Sequence, residues 1–171
     1  MPRLPAHGAA QPGPVSHPTV DPAHRVLRRF RLVFNAVKTH FQQVEKQAGI
    51  GGAQVWALSV VAAQPGIGVG ALAHGMDIHQ TTASNLVRAL VAAGHLASQR
   101  CEKDRRSSRL HITPTGTALL ARVPGPFSGV LPEALAQLDP LTLARLDSDL
   151  AALLALLQPD RRAERIPLAE M

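Results

Sequence analysis

The sequence predicts a mainly α-helical fold with one small β-hairpin. Three observations support this prediction. Apolar residues recur at steps of three and four along most of the chain, which is the period of amphipathic helices. Two short helical segments between residues 69 and 93 are separated by a tight, Gly-containing turn. A basic segment with strand-like alternation follows them directly, and this order is that of a winged helix-turn-helix.

Composition limits the class of protein. A length of 171 residues suits one ordinary domain with extensions, and a pI near 11.0 with a net charge of +6 indicates an acidic partner. Aromatic residues make up only 3%, which argues against recognition of single strands by base stacking. One Cys excludes an internal disulfide framework. Since neither a membrane-length apolar run nor a secretory leader is present, we expect a cytoplasmic protein.

The charge is divided among three segments. Segment 24–46 carries six basic residues and one acidic residue, and segment 79–122 carries seven basic and two acidic residues. Segment 123–158 carries one basic and four acidic residues. The first basic segment and the acidic segment would attract each other if they pack together, so only the second basic segment is expected to serve an external partner.

The N-terminal third is predicted to be a tail followed by two helices. Residues 1–22 are Pro-rich and are expected to be disordered. A long helix with a wide apolar stripe is predicted from His24 to about Gly49, where three glycines interrupt it. The next helix, about Ala53–Ala63, is apolar almost all round and is therefore assigned to the core.

The helix-turn-helix follows. We predict a short helix at about Val69–His74, a turn at Gly75–Ile78 and a second helix at about His79–Ala93, with Gly94 as its left-handed cap. The buried stripe of the second helix is predicted to contain Ala83, Leu86, Val87, Leu90 and Val91.

The remaining chain is predicted to form the wing and two more helices. Strands at 95–101 and 108–113 enclose the polar loop 102–107, and a helix is expected over 114–123. The last helix begins at Asp139-Pro140, has Leu residues at alternating three- and four-residue steps and ends at Pro159. We therefore expect a dimerisation region (23–49 and 124–158), a winged DNA-binding domain (50–123) and a C-terminal tail (159–171).

The polar face of the second helix predicts binding to double-stranded DNA. An α-helix fits the major groove, where Asn and Gln can pair with adenine and Arg with guanine, while wing cations suit the phosphates. The candidate DNA-binding residues are His79, Gln80, Thr81, Thr82, Ser84, Asn85 and Arg88 on the helix, with Lys103, Asp104, Arg105, Arg106 and Arg109 on the wing.

Three stretches carry a resemblance to a known family. They are Gly70-Ala71-Leu72-Ala73 before the turn, the run from His79 to Val87, and the run from Asp104 to Gly116 through the wing. Over about residues 24–158 the chain resembles the MarR transcription regulators, with Ile112 where the family usually has Leu. The resemblance implies that Asp104 braces the wing by an ion pair with an Arg there, that Arg106 contacts DNA, and that a homodimer reads a pseudo-palindromic operator, more often as a repressor than as an activator.

The resemblance also implies a small-molecule effector, of the aromatic or phenolic acid type, in a crevice beside the winged domain. The candidates for lining that crevice are His40, Phe41, Trp56 and Val60, although a place in the core is the more common role for any one of them. The candidate dimerisation residues are Phe30, Phe34, Leu146, Leu150, Leu153 and Leu157, whose apolar stripes are too extensive to be left exposed on a monomer.

Other functions find weaker support. The sequence contains neither a recognisable set of catalytic residues nor a phosphate-binding loop, so we expect neither an enzyme nor a cofactor site. The eight His residues include no i,i+4 pair beside a carboxylate, so we expect no metal site. Three alternatives remain: a winged-helix module that binds protein, a redox-sensing regulator that acts through Cys101, and a basic first helix that lies on a membrane surface.

Overall fold

The computed structural model describes residues 21–100, 108–160 and 164–170. In chain order its elements are α1 (Pro22–Ala48), α2 (Gly52–Ala63), α3 (Val69–Gly75), α4 (Gln80–Ala92), β1 (Leu96–Arg100), β2 (Ser108–Ile112), α5 (Pro114–Leu120), α6 (Val130–Ala136), α7 (Pro140–Leu157) and a short 3-10 helix (Leu168–Glu170). The mainly helical fold with one small hairpin is thereby confirmed. Of the predicted N-terminal tail, residues 1–20 lie outside the described residues.

Helix α1 is buried only toward its C-terminal end. It begins where the Asp21 carboxylate accepts a hydrogen bond from the Ala23 amide at 3.0 Å, and it ends at Gly49 with φ +74°. Phe41 and Val44 are buried. The same apolar stripe is open to solvent at the other end, where Phe34 is 66% exposed.

Helix α2 lies at the centre of the core, as its all-round apolar sequence predicts. Val55, Leu58 and Val61 have no exposed surface. The helix packs against α1, α4, α5 and β2, so it joins the long first helix to the winged domain. Burial of these side chains is the main favourable contribution to the stability of this region.

The helix-turn-helix consists of α3 and α4, and four of the five residues predicted for the buried stripe of α4 are buried. The prediction is wrong for Val91, which is 39% exposed. At 3.6 residues per turn, Val91 lies about 80° from Ala83 around the helix axis, at the edge of the stripe. In the turn, the left-handed residue is Asp77, with φ +50°, and not a glycine.

The wing strands pair in antiparallel fashion, with Ser98 opposite Leu110. Leu110 also pairs on its other side with Ile67 of the α2–α3 loop: the Leu110 amide donates to the Ile67 carbonyl at 3.0 Å, and the Gly66 amide donates to the Leu110 carbonyl at 2.8 Å. The base of the wing is therefore held from both sides. Residues 101–107, which include Cys101 and the predicted polar loop 102–107, lie outside the described residues.

Thr113 joins three elements behind the wing. Its hydroxyl donates to the Gly94 carbonyl at 2.7 Å and accepts from the Gly116 amide at 3.1 Å, which caps α5. Gly116 is required for this close packing, since a Cβ there would collide with the His95 backbone carbonyl oxygen and would come within 2.9 Å of Ile112. These bonds account physically for the Thr-Pro-Thr-Gly run at the end of the wing.

The C-terminal half contains one helix that the sequence did not predict, α6, which packs on α1. Helix α7 begins as predicted: the Asp139 carboxylate accepts from the Leu141 and Thr142 amides at 3.1 and 3.0 Å. Hydrogen bonding from the Thr142 side chain and then from its amide holds the pKa of Asp139 below its ordinary value. No side chain of α7 is buried, and α7 is not among the main neighbours of α1.

Residues 164–170 pack against the body of the protein, where the sequence suggested only a tail. Pro167 is buried, and the 3-10 helix Leu168–Glu170 contacts α1 and α2. None of the described helices is both long enough and apolar enough to cross a membrane.

Candidate nucleic-acid interface

The exposed face of α4 gathers the polar side chains that the sequence predicted for DNA contact. Gln80, Thr81, Asn85 and Arg88 are exposed, while Ser84 is half-buried. These five residues together line one shallow hollow of about 340 Å³ on the surface. Two amides, a guanidinium and two hydroxyl groups are thus presented on successive turns of one helix face.

The opposite face of α4 explains why these groups are held in place. Ala83, Leu86 and Leu90 are buried in the core, and α3 packs along the helix. Because the core face fixes the rotation of the helix about its axis, the polar face must point outward. A rigid, displayed helix is what insertion into a groove requires.

Three residues at the start of α4 differ in exposure and in the hydrogen bonds that they have available for DNA. The Ser84 hydroxyl donates to the Gln80 carbonyl at 2.7 Å, so its proton is used within the helix and its oxygen remains as an acceptor. His79 is exposed and occupies the N-cap position without a side-chain capping bond. Thr82 is half-buried, so it reaches less far than Thr81.

Of the five wing residues predicted to contact DNA, the structure describes Arg109. Arg109 is exposed on β2 opposite Gln99, and its guanidinium lies beside Gly66 of the α2–α3 loop. This position puts one cation at the root of the hairpin. The other wing candidates, Lys103, Asp104, Arg105 and Arg106, lie outside the described residues.

A cavity of about 190 Å³ lies between α1, α2 and the helix-turn-helix turn. Of the four residues predicted for an effector crevice, Phe41 and Trp56 line it. His40 and Val60 are not among the described lining residues. The His40 Nε2 instead donates to the Pro126 carbonyl at 2.9 Å, and its ring meets Phe41 edge-on at 5.3 Å.

Most of the cavity lining could not be assigned from the sequence, because it comes from distant segments. Met76 and Ile78 contribute from the turn, and the segment after α7 contributes a further wall. The described lining is mostly apolar and carries two carboxylates, Asp77 and Glu164, but neither Lys, Arg nor His. An uncharged aromatic molecule matches this lining better than an acid does.

The predicted dimerisation residues lie on α1 and α7, and these two helices are not main neighbours within one chain. The Phe30 and Phe34 rings stack with their centroids 6.2 Å apart on α1. On α7, Leu146 and Leu150 are half-buried, while Leu157 is 65% exposed. Both apolar stripes therefore remain largely open.

Comparison with known sequences identifies the winged segment. Residues 48–107 match the sequence model of the MarR family. The winged segment is therefore similar in sequence to MarR-family proteins. A curated relative from Thauera aromatica, described as a putative transcriptional regulatory protein for the hcr operon, is 36% identical over 66 residues, which cover 39% of this chain and 40% of that protein. The match thus spans less than half of the relative's length.

Solved structures share the MarR-type winged-helix fold. A MepR-like protein complexed with pseudoligands aligns with a TM-score of 0.55 at 12% identity, covering 78% of this chain and 94% of that chain. S. aureus MepR in a complex with DNA aligns with a TM-score of 0.54 at 20% identity, covering 78% and 97%. YusO from Bacillus subtilis aligns with a TM-score of 0.51 at 18% identity, covering 77% and 93%. The likeness extends beyond the winged segment to most of the chain.

Proposed function

We propose that this protein is a MarR-like transcription regulator that binds double-stranded DNA in a sequence-specific manner. The observation that carries the proposal is the division of α4 into two faces, with Leu86 and Leu90 buried in the core while Asn85 and Arg88 are exposed side by side. The MarR match over the same segment supports it, as does the DNA complex of S. aureus MepR, which has the same fold.

In this proposal α4 enters the major groove. Asn85 and Gln80 suit adenine, and Arg88 suits guanine, because each side chain can form two parallel hydrogen bonds with the edge of that base. His79, Thr81, Thr82 and Ser84 lie near the start of the helix and contact bases or phosphates. The cations Arg109, Lys103, Arg105 and Arg106 serve the phosphate backbone and the adjacent minor groove, while Asp104 braces the wing by an ion pair with one of these arginines.

We further propose that the regulator acts as a homodimer. Phe34 on α1 and Leu157 on α7 are about two-thirds exposed in the single chain, and large exposed apolar faces of this kind mark association surfaces. The exposed basic side chains of α1 and the acidic ones of α7 complement each other if the α7 of one subunit covers the α1 of the other. A two-fold dimer then presents two copies of α4, which suits a pseudo-palindromic operator with half-sites about 34 Å apart.

Release from DNA is proposed to follow binding of a small aromatic effector in the cavity beside Phe41 and Trp56. The cavity touches the turn that leads into α4, at Met76 and Ile78, so an effector there can alter the placement of α4 and with it the spacing of the two recognition helices. The proposed role is that of a cytoplasmic repressor, located on the nucleoid while it is bound to DNA.

The experiment that tests this function compares Asn85→Ala and Arg88→Ala with the wild-type chain in fluorescence anisotropy titrations. Each protein is titrated against a duplex from the region upstream of its own gene and against a scrambled duplex. We expect each variant to lose about 1–3 kcal/mol of operator affinity, with a much smaller loss on scrambled DNA, because base contacts specify and phosphate contacts do not.

Arg122→Ala is the matched control, since Arg122 is an exposed arginine that follows α5 and lies outside α4 and the wing strands. It should keep the wild-type preference for the operator. Equal losses on both duplexes from Arg88→Ala would contradict base readout by α4, and a wild-type chain that bound neither duplex would favour a protein-binding winged helix instead.

A further inference from the structure

The segment 164–170, here called the C-terminal strap, forms one wall of the cavity beside α1 and α2. Its residues Glu164, Ile166, Pro167, Leu168 and Ala169 all line the cavity. Across from them lie Phe41 of α1, Trp56 of α2 and the helix-turn-helix turn at Asp77. The strap thus closes a space whose other walls come from α1, α2, the helix-turn-helix turn and the region of α6 at Ser128 and Pro132.

The strap packs closely against the start of α2 at Ala169. Gly52, the first residue of α2, has no side chain, and a Cβ built there would lie 3.2 Å from the Ala169 Cβ and 2.6 Å from Phe41 Cδ1. The absence of a side chain at Gly52 therefore lets Ala169 and the Phe41 ring share the space above α2. Pro167 is buried beside this contact.

Two apolar side chains of the strap remain partly exposed. Ile166 is 42% exposed and Leu168 is 40% exposed, although both also line the cavity. A segment that buries only part of its apolar surface opens at lower free energy than the core does. The strap is therefore suited to open while α2 and the helix-turn-helix stay folded.

The size of the cavity indicates what the strap does. With the strap in place the cavity measures about 190 Å³, whereas sites for drug-sized ligands usually measure about 300–1,000 Å³. An aromatic effector of ordinary size therefore needs additional room, and the strap is a wall that buries its apolar side chains Ile166 and Leu168 only in part. Displacement of the strap would open the cavity without disturbing the core.

We propose that the C-terminal strap is a built-in lid which competes with the effector for this cavity. The proposal rests on the proposed function, because it assigns regulation to the same effector site. Effector binding then requires the open form, so the apparent affinity is reduced by the fraction of molecules in which the strap is open. The cavity that the strap lines also borders the turn before α4. A movement of the strap is therefore transmitted through this turn to the recognition helix.

Trp56 provides a direct readout, because it is the single Trp of the chain and lines the cavity. In the full-length chain, Ala169→Glu would place a charge at the contact with Gly52 and open the strap. We expect acrylamide to quench Trp56 fluorescence more strongly than in the wild type. If the closed strap leaves about one molecule in ten open, Nile red, an uncharged apolar dye, should bind at the Trp56 site about tenfold more tightly in the variant.

Ala121→Glu is the matched control, since Ala121 is exposed and follows α5 away from the cavity. Leu168→Asp serves as a second strap variant, because Leu168 is already partly exposed and its replacement leaves the core intact. The proposal is overturned if both strap variants show the quenching and the dye affinity of the control. It is equally overturned if dye affinity falls in both, since the strap would then complete the site rather than close it.

Salt-sensitive DNA binding by the same variants separates this proposal from the proposed function. If the wild type and all variants fail to bind DNA but the strap variants still change Trp56 quenching and dye affinity, the lid proposal is supported and the proposed regulator function is contradicted. If DNA binding is retained and Trp56 does not respond, the lid fails alone.

Discussion

At the scale of single residues, the junction behind the wing shows how a short sequence run encodes geometry. Thr113 bonds to the Gly94 carbonyl and to the Gly116 amide, so the end of the recognition helix, strand β2 and helix α5 meet at one hydroxyl. Gly116 approaches the His95 carbonyl more closely than any other residue could. The run is therefore needed to fix the wing relative to α4.

The Gly116→Ala variant tests this junction. The added methyl group would force α5 away from the His95 carbonyl, and overpacking of this kind costs about 1–3 kcal/mol of unfolding free energy. The measurement is the midpoint of thermal unfolding by circular dichroism. Gly70→Ala is the control, because nothing lies within 4 Å of its added Cβ; there we expect a stabilisation of up to about 1 kcal/mol from the higher helix propensity of Ala. Equal effects at both positions would argue against the close contact.

The backbone conformation of the turn between α3 and α4 could not be predicted from the residues of the turn alone. The sequence suggests that a glycine makes this turn, but the residue with φ +50° is Asp77, while Gly75 is the last residue of α3. Asp tolerates the left-handed region better than most residues do, so the sequence allows both arrangements. The packing of Met76 and Ile78 into the core decides between them, and that packing is not a local property.

At the scale of elements, the helices and strands that carry a regular pattern were predicted to within a few residues. Helix α7 was recognised from its Asp139 cap and its repeating Leu residues. Helix α6 was missed because seven residues are too few for an apolar period to show, and because the Pro and Gly residues before it suggest a loop. The strap was missed because its contact with Gly52 joins two segments far apart in the chain.

The open apolar faces of α1 and α7 lead to a prediction about assembly. Leu153→Glu would place a charge in the Leu seam of α7 and should shift the protein from dimer to monomer, measured by sedimentation velocity. Because no side chain of α7 is buried within the single chain, the helical circular dichroism signal should change little.

Ser148→Glu is the control for this experiment. It lies on the same helix about 140° around the axis from Leu153, so the added charge should leave the dimer intact. A dimer that survived Leu153→Glu, or a wild-type chain that sedimented as a monomer, would contradict the assignment of α7 to the subunit interface.

At the scale of the whole molecule, the net charge of +6 divides into two separate roles. Among the described residues, Arg88 lies on the polar face of α4 that we assign to DNA, and Arg109 lies at the base of the wing. The basic residues of α1 belong to the helix that we assign to dimer assembly, where the two Asp residues of the partner's α7 would offset part of their charge. Only the first group should therefore contribute to the salt dependence of DNA binding.

The central claim is that the displayed face of α4 reads a specific duplex. The most direct test is a titration of the wild-type chain, by fluorescence anisotropy, against its own upstream duplex and a scrambled duplex of equal length and composition, repeated over a range of salt concentrations. The account predicts two chains per operator duplex and a preference for the operator of about a thousandfold or more. It also predicts an affinity that falls steeply, by about a thousandfold between roughly 50 and 200 mM salt. Equal affinity for the two duplexes, or no binding to either, would contradict it.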